Sequence, residues 1–440
     1  MVCVGGNEFS NHGKSKFSVV MDHPLSWLVC LYAAVCMLVI YGCSVTYGII
    51  FPSILEEFQA SRAVTAFPGA IAIASSGMFG PLGGHLTDHY GCRVVFMSSS
   101  LITIMGLVSS SFVPNIVLLY FTYGFVNGLG VNLMYISTMM VPALYFKRRR
   151  MLATAIVSAG PGAGLFIMSP IVEVIHKVLD WRKTLLCLAG LCLVPCLGGW
   201  GLREKKEKVE QTIAQEGCAE RRCRSSCDCS VLRNPMFVLC TAMTSLAALG
   251  HCMPIVHLAK HCAELGISRE LSSWLYFAIG LSSMIARMSC GKLAETGWIS
   301  LPRLFQFGVF GLALGNLLLP LATDFPYLAL YSVSYGFGEG FFLTPIYCII
   351  LESLPTERRG RGYGVFQLFI SIPYVFGPFL SGLIADLSGT GYTNSFYTAG
   401  AIEVVAGFGP FLIPFMPTAS HKEEITVNEE LIVYEKESVV

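Results

Sequence analysis

Charge is scarce in this chain. Of its 440 residues only 13% are Asp, Glu, Lys or Arg, against roughly 25% in an ordinary soluble domain. The 29 basic and 28 acidic residues nearly cancel, leaving a net charge of +1, so nothing draws nucleic acid as a partner. Catalytic signatures are missing as well. There is no Gly-x-x-x-x-Gly-Lys-Ser/Thr phosphate loop, no His-Glu-x-x-His zinc motif and no Gly-x-Ser-x-Gly elbow, and the pattern is not that of an enzyme. No Asn-x-Ser/Thr acceptor occurs, so no glycan marks an outer face. The first 21 residues lack the basic-then-apolar order of a cleaved signal peptide; the first apolar span would itself target the chain. Cysteine is plentiful, at 17 residues, but its one polar cluster (Cys218, Cys223, Cys227, Cys229) has no Cys-x-x-Cys pair and no nearby histidine. Reduced loop thiols, or palmitoylation if the loop is cytoplasmic, account for it better than zinc. No metal or cofactor is implied.

Apolar sequence is abundant instead. The chain is 54% hydrophobic with a mean hydropathy of +0.63, which places it in a lipid bilayer. A helix needs about 20 apolar residues to cross the hydrocarbon. Suitable windows lie at 24–55, 63–84, 151–174, 184–202, 236–259, 271–291, 304–323, 326–351, 362–385 and 393–416. The stretch 94–146 holds no charge and no histidine and is too long for one helix; Val113-Pro114-Asn115 is its natural turn. The expectation is an all-α membrane protein of 12 transmembrane helices in two six-helix halves. Residues 1–23 are the N-tail, 24–202 the first half, 203–235 a central loop, 236–416 the second half and 417–440 the C-tail. With both termini in the cytoplasm, 22 of the 29 Lys and Arg fall on the cytoplasmic side and six outside, an asymmetry that favours that orientation.

The halves repeat. YGFVNG at 123–128 matches YGFGEG at 335–340, an offset of 212; GHLTD at 84–88 matches GKLAE at 291–295, an offset of 207. Parallel six-helix repeats around a central loop are the arrangement of major facilitator transporters, whose substrate site lies at the midplane between the halves. GGHLTDHYGCRVVF (83–96) resembles the loop signature of that superfamily. Gly84 and Gly91 would allow close turns there. Asp88 and Arg93 can form a cytoplasmic charge latch, or simply be two solvated loop charges.

YFKRRRMLATAIVSAGPGAG (145–164) carries a narrower likeness. It resembles the fifth span of the monocarboxylate transporter family: Tyr-Phe, a basic cluster, Leu-Ala, then small residues. DHPLSW (22–27) keeps only Asp22 and Trp27 of that family's first-span motif. The basic cluster has a physical role of its own, anchoring the helix at an anionic leaflet, and the small residues let a neighbour approach.

Two central positions hold charges where lipid makes them costly. Glu339 is the only charge between 325 and 351, and Arg287 sits within LSSMIARMSCG (281–291). A charge at a helix centre costs roughly 2.5–3.5 kcal/mol on insertion scales, so the two are expected to pair, although Arg287 is near enough to the helix end to reach the interface. The family resemblance implies that Arg287 meets a substrate carboxylate, which an arginine grips with two parallel hydrogen bonds. In the lactate branch an aspartate and a lysine stand where Ser283 and Val45 are here. GFGEGFF (336–342) and PIVHL (254–258) are more similar to the thyroid-hormone and aromatic amino-acid branch. On that resemblance Arg287, Glu339 and His257 form one site. Asn127, the repeat mate of Glu339, lines the same cavity or serves an ordinary interhelical hydrogen bond. Glu403 has no ready account.

The expected function is secondary transport of a small carboxylate-bearing solute, a monocarboxylate or an aromatic or related amino acid, across the plasma membrane. It would proceed by alternating access, as facilitated diffusion or symport. The alternative is a sensor that kept the transporter fold, though the loop at 203–235 and the tail from 417 are short for one. The resemblance also implies a single-pass immunoglobulin-like chaperone, and the C-terminal Ser438-Val439-Val440 suits a PDZ-domain protein.

Overall fold

The computed structural model describes residues 24–45, 47–60, 62–146, 149–199, 229–354, 358–388 and 392–415. Both tails, nearly all of the central loop and its cysteines, and the C-terminal motif lie outside the described residues, as does the side chain of Val45. Among the described residues there is no strand.

Six helical columns stand in each half, where the apolar windows fall. The first is α1 (Pro24–Val45) continued by α2 (Tyr47–Phe58), and the second is α3 (Arg62–Met78) continued by α4 (Gly80–Tyr90). The third is α5 (Cys92–Ser111). The fourth begins as α6 (Ile116–Leu119), widens into a π-helical turn over Tyr120–Asn127 and continues as α7 (Gly128–Tyr145). The fifth is α8 (Arg150–Val178); the sixth is α9 (Trp181–Leu191) with α10 (Leu193–Gly198). The second half runs α11 (Pro235–Glu264), α12 (Arg269–Glu295), α13 (Leu301–Leu318), α14 (Phe325–Glu352), α15 (Arg359–Ser388) and α16 (Thr393–Phe408).

Local chemistry sets the boundaries. The Asn115 side chain accepts from the Leu118 amide at 2.9 Å, so the Val113-Pro114-Asn115 turn becomes a helix cap. Asn234 caps α11 through the amides of Met236 and Phe237, and Ser268 caps α12 through that of Leu271. Among the described residues nine helices are long and apolar enough to cross a membrane. The second, sixth and eighth columns fall short for visible reasons. Pro81 removes a ladder donor and breaks the second between α3 and α4. The sixth is interrupted at Cys192. The eighth, α12, carries Arg287, Lys292 and Glu295 together with several serines.

Glycine governs how the halves meet. Principal contacts between them run from α8 to α12, and from α3 and α4 to α15. A Cβ on Gly84 would strike the Gly360 carbonyl, and one on Gly364 would strike that of Gly80. Helices this close need bare backbone on both faces. Along the other seam, Gly162 faces Gly280 and the Phe166 and Phe277 rings meet edge-on at 4.7 Å. The Gly84–Gly360 and Gly80–Gly364 contacts lie beside Asp88, where the halves are closed, and the Gly162–Gly280 and Phe166–Phe277 contacts lie nearer the middle of α8 and α12.

Close packing and helix propensity oppose each other here, which gives a sign test. Gly311 lies in a helix with nothing within 4 Å of an added Cβ, whereas at Gly364 the carbonyl of Gly80 blocks it. In a helix interior alanine is favoured over glycine by about 1 kcal/mol, while overpacking costs typically 1–3 kcal/mol. Gly311→Ala should therefore raise the thermal midpoint of the purified protein slightly, and Gly364→Ala should lower it by several degrees. Shifts of the same sign would contradict the contact.

Candidate functional site

Arg287 points into the bundle rather than toward the interface. Its side chain is buried and all three kinds of guanidinium nitrogen are engaged. Nη2 donates to Oε1 of Glu339 at 3.1 Å, Nη1 donates to the Ser158 carbonyl at 3.0 Å, and Nε donates to the Ser283 hydroxyl at 3.2 Å. The Ser158 bond crosses between the halves, from α12 to α8. Pro161 cannot donate to the Val157 carbonyl, so the α8 ladder is already open beside that acceptor.

The glycines around Glu339 make the pair possible. Gly336 and Gly340 lie one turn apart on one face of α14 and press on α12: a Cβ at 336 would meet Ser282 and the Ile279 carbonyl, and one at 340 would meet Ala286 and the Arg287 amide. Gly338 faces Leu312 and Gly308 of α13. The acid side chain is 18% exposed and the arginine 5%, so Glu339 is the more accessible member of the pair. A buried ion pair with its remaining donors satisfied is tolerated, and removing one partner strands the other at about 3–5 kcal/mol.

A tyrosine layer adjoins the pair. The Tyr135 hydroxyl donates to that of Tyr347 at 2.9 Å, and their separation in sequence is 212 residues, the repeat offset itself. Equivalent side chains of the two halves thus meet on the pseudo-twofold axis. Tyr363 stacks on Tyr135 at 6.3 Å and meets Tyr347 edge-on at 6.0 Å. Tyr347 also lies beside the Arg287 guanidinium. On another side is His251, whose Nδ1 meets the Tyr335 hydroxyl at 2.7 Å and whose ring stacks on that of Tyr335. His251 lies in the field of both Glu339 and Arg287.

The other sequence-chosen residues are placed elsewhere. His257 shares a hydrogen bond with the Pro378 carbonyl at 3.0 Å and stacks on Tyr392; the structure does not bring it to the pair. Asn127 is buried at the end of the π-helical turn, with its backbone against Gly106 of α5 and its Nδ2 unpartnered. Histidine type and the family motif pointed to 257; helix phase, which decides, favours 251.

Asp88 reaches across the halves. Its two oxygens accept from the amides of Gly360, at 2.9 Å, and Arg361, at 2.8 Å, and the Arg361 guanidinium stands 3.8 Å away. The carboxylate therefore sits on the N-terminus of α15, where free amides and the helix dipole favour an anion. Arg93, the partner expected from sequence, is in the first turn of α5. Gly91 between them has φ +83°, the left-handed region that favours glycine. A second latch mirrors the first: Glu295 faces Arg149 at 3.8 Å. Asp88 and Glu295 are repeat mates on the 207 offset, and Arg149 and Arg361 on the 212 offset.

Comparison with known proteins agrees with this architecture. Residues 33–294 and 235–433 match the Major Facilitator Superfamily, and the chain belongs to it. It is thus a multi-pass secondary transporter and not an enzyme. Its sequence is similar to monocarboxylate transporter 12 of Xenopus laevis, 26% identical with 86% of each chain covered. It is also similar to monocarboxylate transporter 4 of Gallus gallus, 26% identical over 89% of this chain and 86% of the relative, and to monocarboxylate transporter 6 of Homo sapiens, 27% identical over 88% and 80%. The solved structure of the proton:xylose symporter XylE, bound to 6-bromo-6-deoxy-D-glucose, shares the fold with a TM-score of 0.73 at 15% identity, covering 90% of this chain and 97% of that one.

Hydrogen bonds to a charged group are worth about 1.5–3 kcal/mol, and 1.4 kcal/mol is tenfold in an equilibrium. Asp88→Ala should therefore open the closed end about tenfold more often. The readout is maleimide labelling of a cysteine at position 135 in a background stripped of native cysteines. Glu295→Ala should act in the same direction and the double variant more strongly. Labelling unchanged by either would contradict the paired latches.

Proposed function

We propose that this chain carries a small carboxylate-bearing solute, a monocarboxylate or an aromatic or related amino acid, across the plasma membrane by alternating access. One observation carries the reading: Arg287 is a buried guanidinium whose anionic partner, Glu339, is the more accessible of the two. In the empty carrier Glu339 balances the arginine. An incoming carboxylate takes over part of that role, while Glu339 shifts or receives a substrate amine. The relatives named for monocarboxylates support the same solute class.

The pair also explains how binding becomes movement. Arg287 holds Glu339 in its own half and the Ser158 carbonyl in the other. A carboxylate gripping the fork competes with both, so occupancy loosens a bond between the halves. Tyr347, adjacent to Arg287, feels the change and holds Tyr135 across the axis. Asp88–Arg361 and Glu295–Arg149 then part as the closed end opens. Both termini are placed in the cytoplasm on the asymmetry of Lys and Arg, which makes the closed end the cytoplasmic one. Ser283 and Val45 replace the acid and base of the lactate branch, so coupling to protons is expected to be weak.

Uptake of labelled carboxylic acids and amino acids into vesicles, at matched and opposed pH gradients, tests the reading. At least one carboxylate should enter, with little dependence on the gradient. Arg287→Ala should abolish uptake at near-normal surface expression. Arg287→Lys, which keeps the charge but loses the fork, should reduce it by roughly tenfold or more, if one charged hydrogen bond is lost. Full transport by Arg287→Ala would remove the arginine from the site.

A further inference from the structure

Glu403 lies on α16, away from the central pair, and is fully buried. Its Oε2 accepts from Nδ2 of Asn316 on α13 at 2.8 Å, and Oε1 has no hydrogen-bond partner. Asn316 in turn accepts from the Tyr331 hydroxyl of α14 at 2.9 Å. The acid fills a notch on α11: a Cβ at Gly250 would meet its Cγ at 2.7 Å.

Among the described residues, no counter-charge pairs with Glu403. Asn316 faces the carboxyl from α13, Tyr331 and Tyr335 from α14, and Gly250 and Cys252 from α11. None is a cation, and among the described residues no Lys, Arg or His forms an ion pair with it. An ionised carboxylate with one hydrogen bond and no partner is among the costliest groups to bury. A neutral acid in the same place leaves polar groups unpaired but no unpaired charge, and that is the smaller cost.

We propose that Glu403 is a proton-binding site, occupied in this conformation, and that the proton rather than a salt bridge lets this acid sit between α11, α13 and α14. The heavy atoms already suit the neutral form. With the Asn316 amide turned half a revolution, Oε2–H donates to its carbonyl oxygen and its NH2 donates to the Tyr331 hydroxyl, at the same distances. The site is separate from the substrate cleft but not remote from it. Tyr331 and Tyr335 pack at 5.6 Å, and the Tyr335 hydroxyl meets His251, which lies in the field of Glu339.

The test is infrared difference spectroscopy of the full-length protein in lipid nanodiscs near neutral pH, wild type against Glu403→Gln. The carbonyl stretch of a protonated carboxyl should be present in the wild type, shift on exchange into D2O, and vanish in the variant. Loss of a carboxylate stretch instead, or no difference in the protonated-acid region, would overturn the proposal. If Glu403→Gln does not fold, Asn316→Ala serves in its place. Releasing the hydrogen bond should move the protonated-acid band to higher frequency, and a band that stays put would likewise overturn the assignment.

Discussion

A guanidinium inside a membrane helix has to be satisfied by its neighbours, and Arg287 organises this fold around that demand. Its three contacts come from three directions: Glu339 on α14, Ser158 on α8 and Ser283 one turn back on its own helix. Each requires something of the sequence. Glu339 is within reach because Gly336 and Gly340 let α14 press against α12. Ser158 is available beside a proline that opens the ladder of α8. Three helices from two halves converge on one side chain, and the convergence is also the proposed site.

The repeat shows where function departs from packing. The closed end is one pattern used twice: an acid at the end of the second column of one half meets a basic residue at the start of the fifth column of the other. Tyr135 and Tyr347 meet on the axis between them. The site breaks this symmetry. On the 207 offset, the position equivalent to Arg287 is Gly80, which lies flush against the Gly364 carbonyl. On the 212 offset, the equivalent of Glu339 is Asn127, set at the end of a π-helical turn. Where one half is built to close tightly, the other carries the ion pair.

Much of this was legible in the sequence because lipid penalises charge so heavily. The spans follow from uncharged windows, and Arg287 with Glu339 from being charges that such windows should not hold. What stayed hidden depended on helix phase and on distance along the chain. His251 and His257 are six residues apart, about 240° around a helix of 3.6 residues per turn, so they face different ways; a motif match cannot say which faces the pair. Asp88 has a basic residue five positions on, but the amides that its carboxylate accepts from lie more than 270 residues away in sequence, at Gly360 and Arg361. The repeat held the signal for the second latch, since the 207 offset takes Asp88 to Glu295 and the 212 offset takes Arg149 to Arg361. Glu403 resisted explanation because Asn316 and Gly250, which make its niche, belong to other helices.

The central claim is that the sign and position of the charge on α12, rather than the mere presence of an ion pair, serve the substrate. Exchanging the two residues separates these ideas. In Arg287→Glu combined with Glu339→Arg, the buried pair is retained with its polarity reversed. Surface expression and thermal midpoint should recover well above either single reversal, while uptake of a carboxylate that the wild type carries should stay at background. Restored uptake would show that the pair is structural and that the carboxylate is held elsewhere.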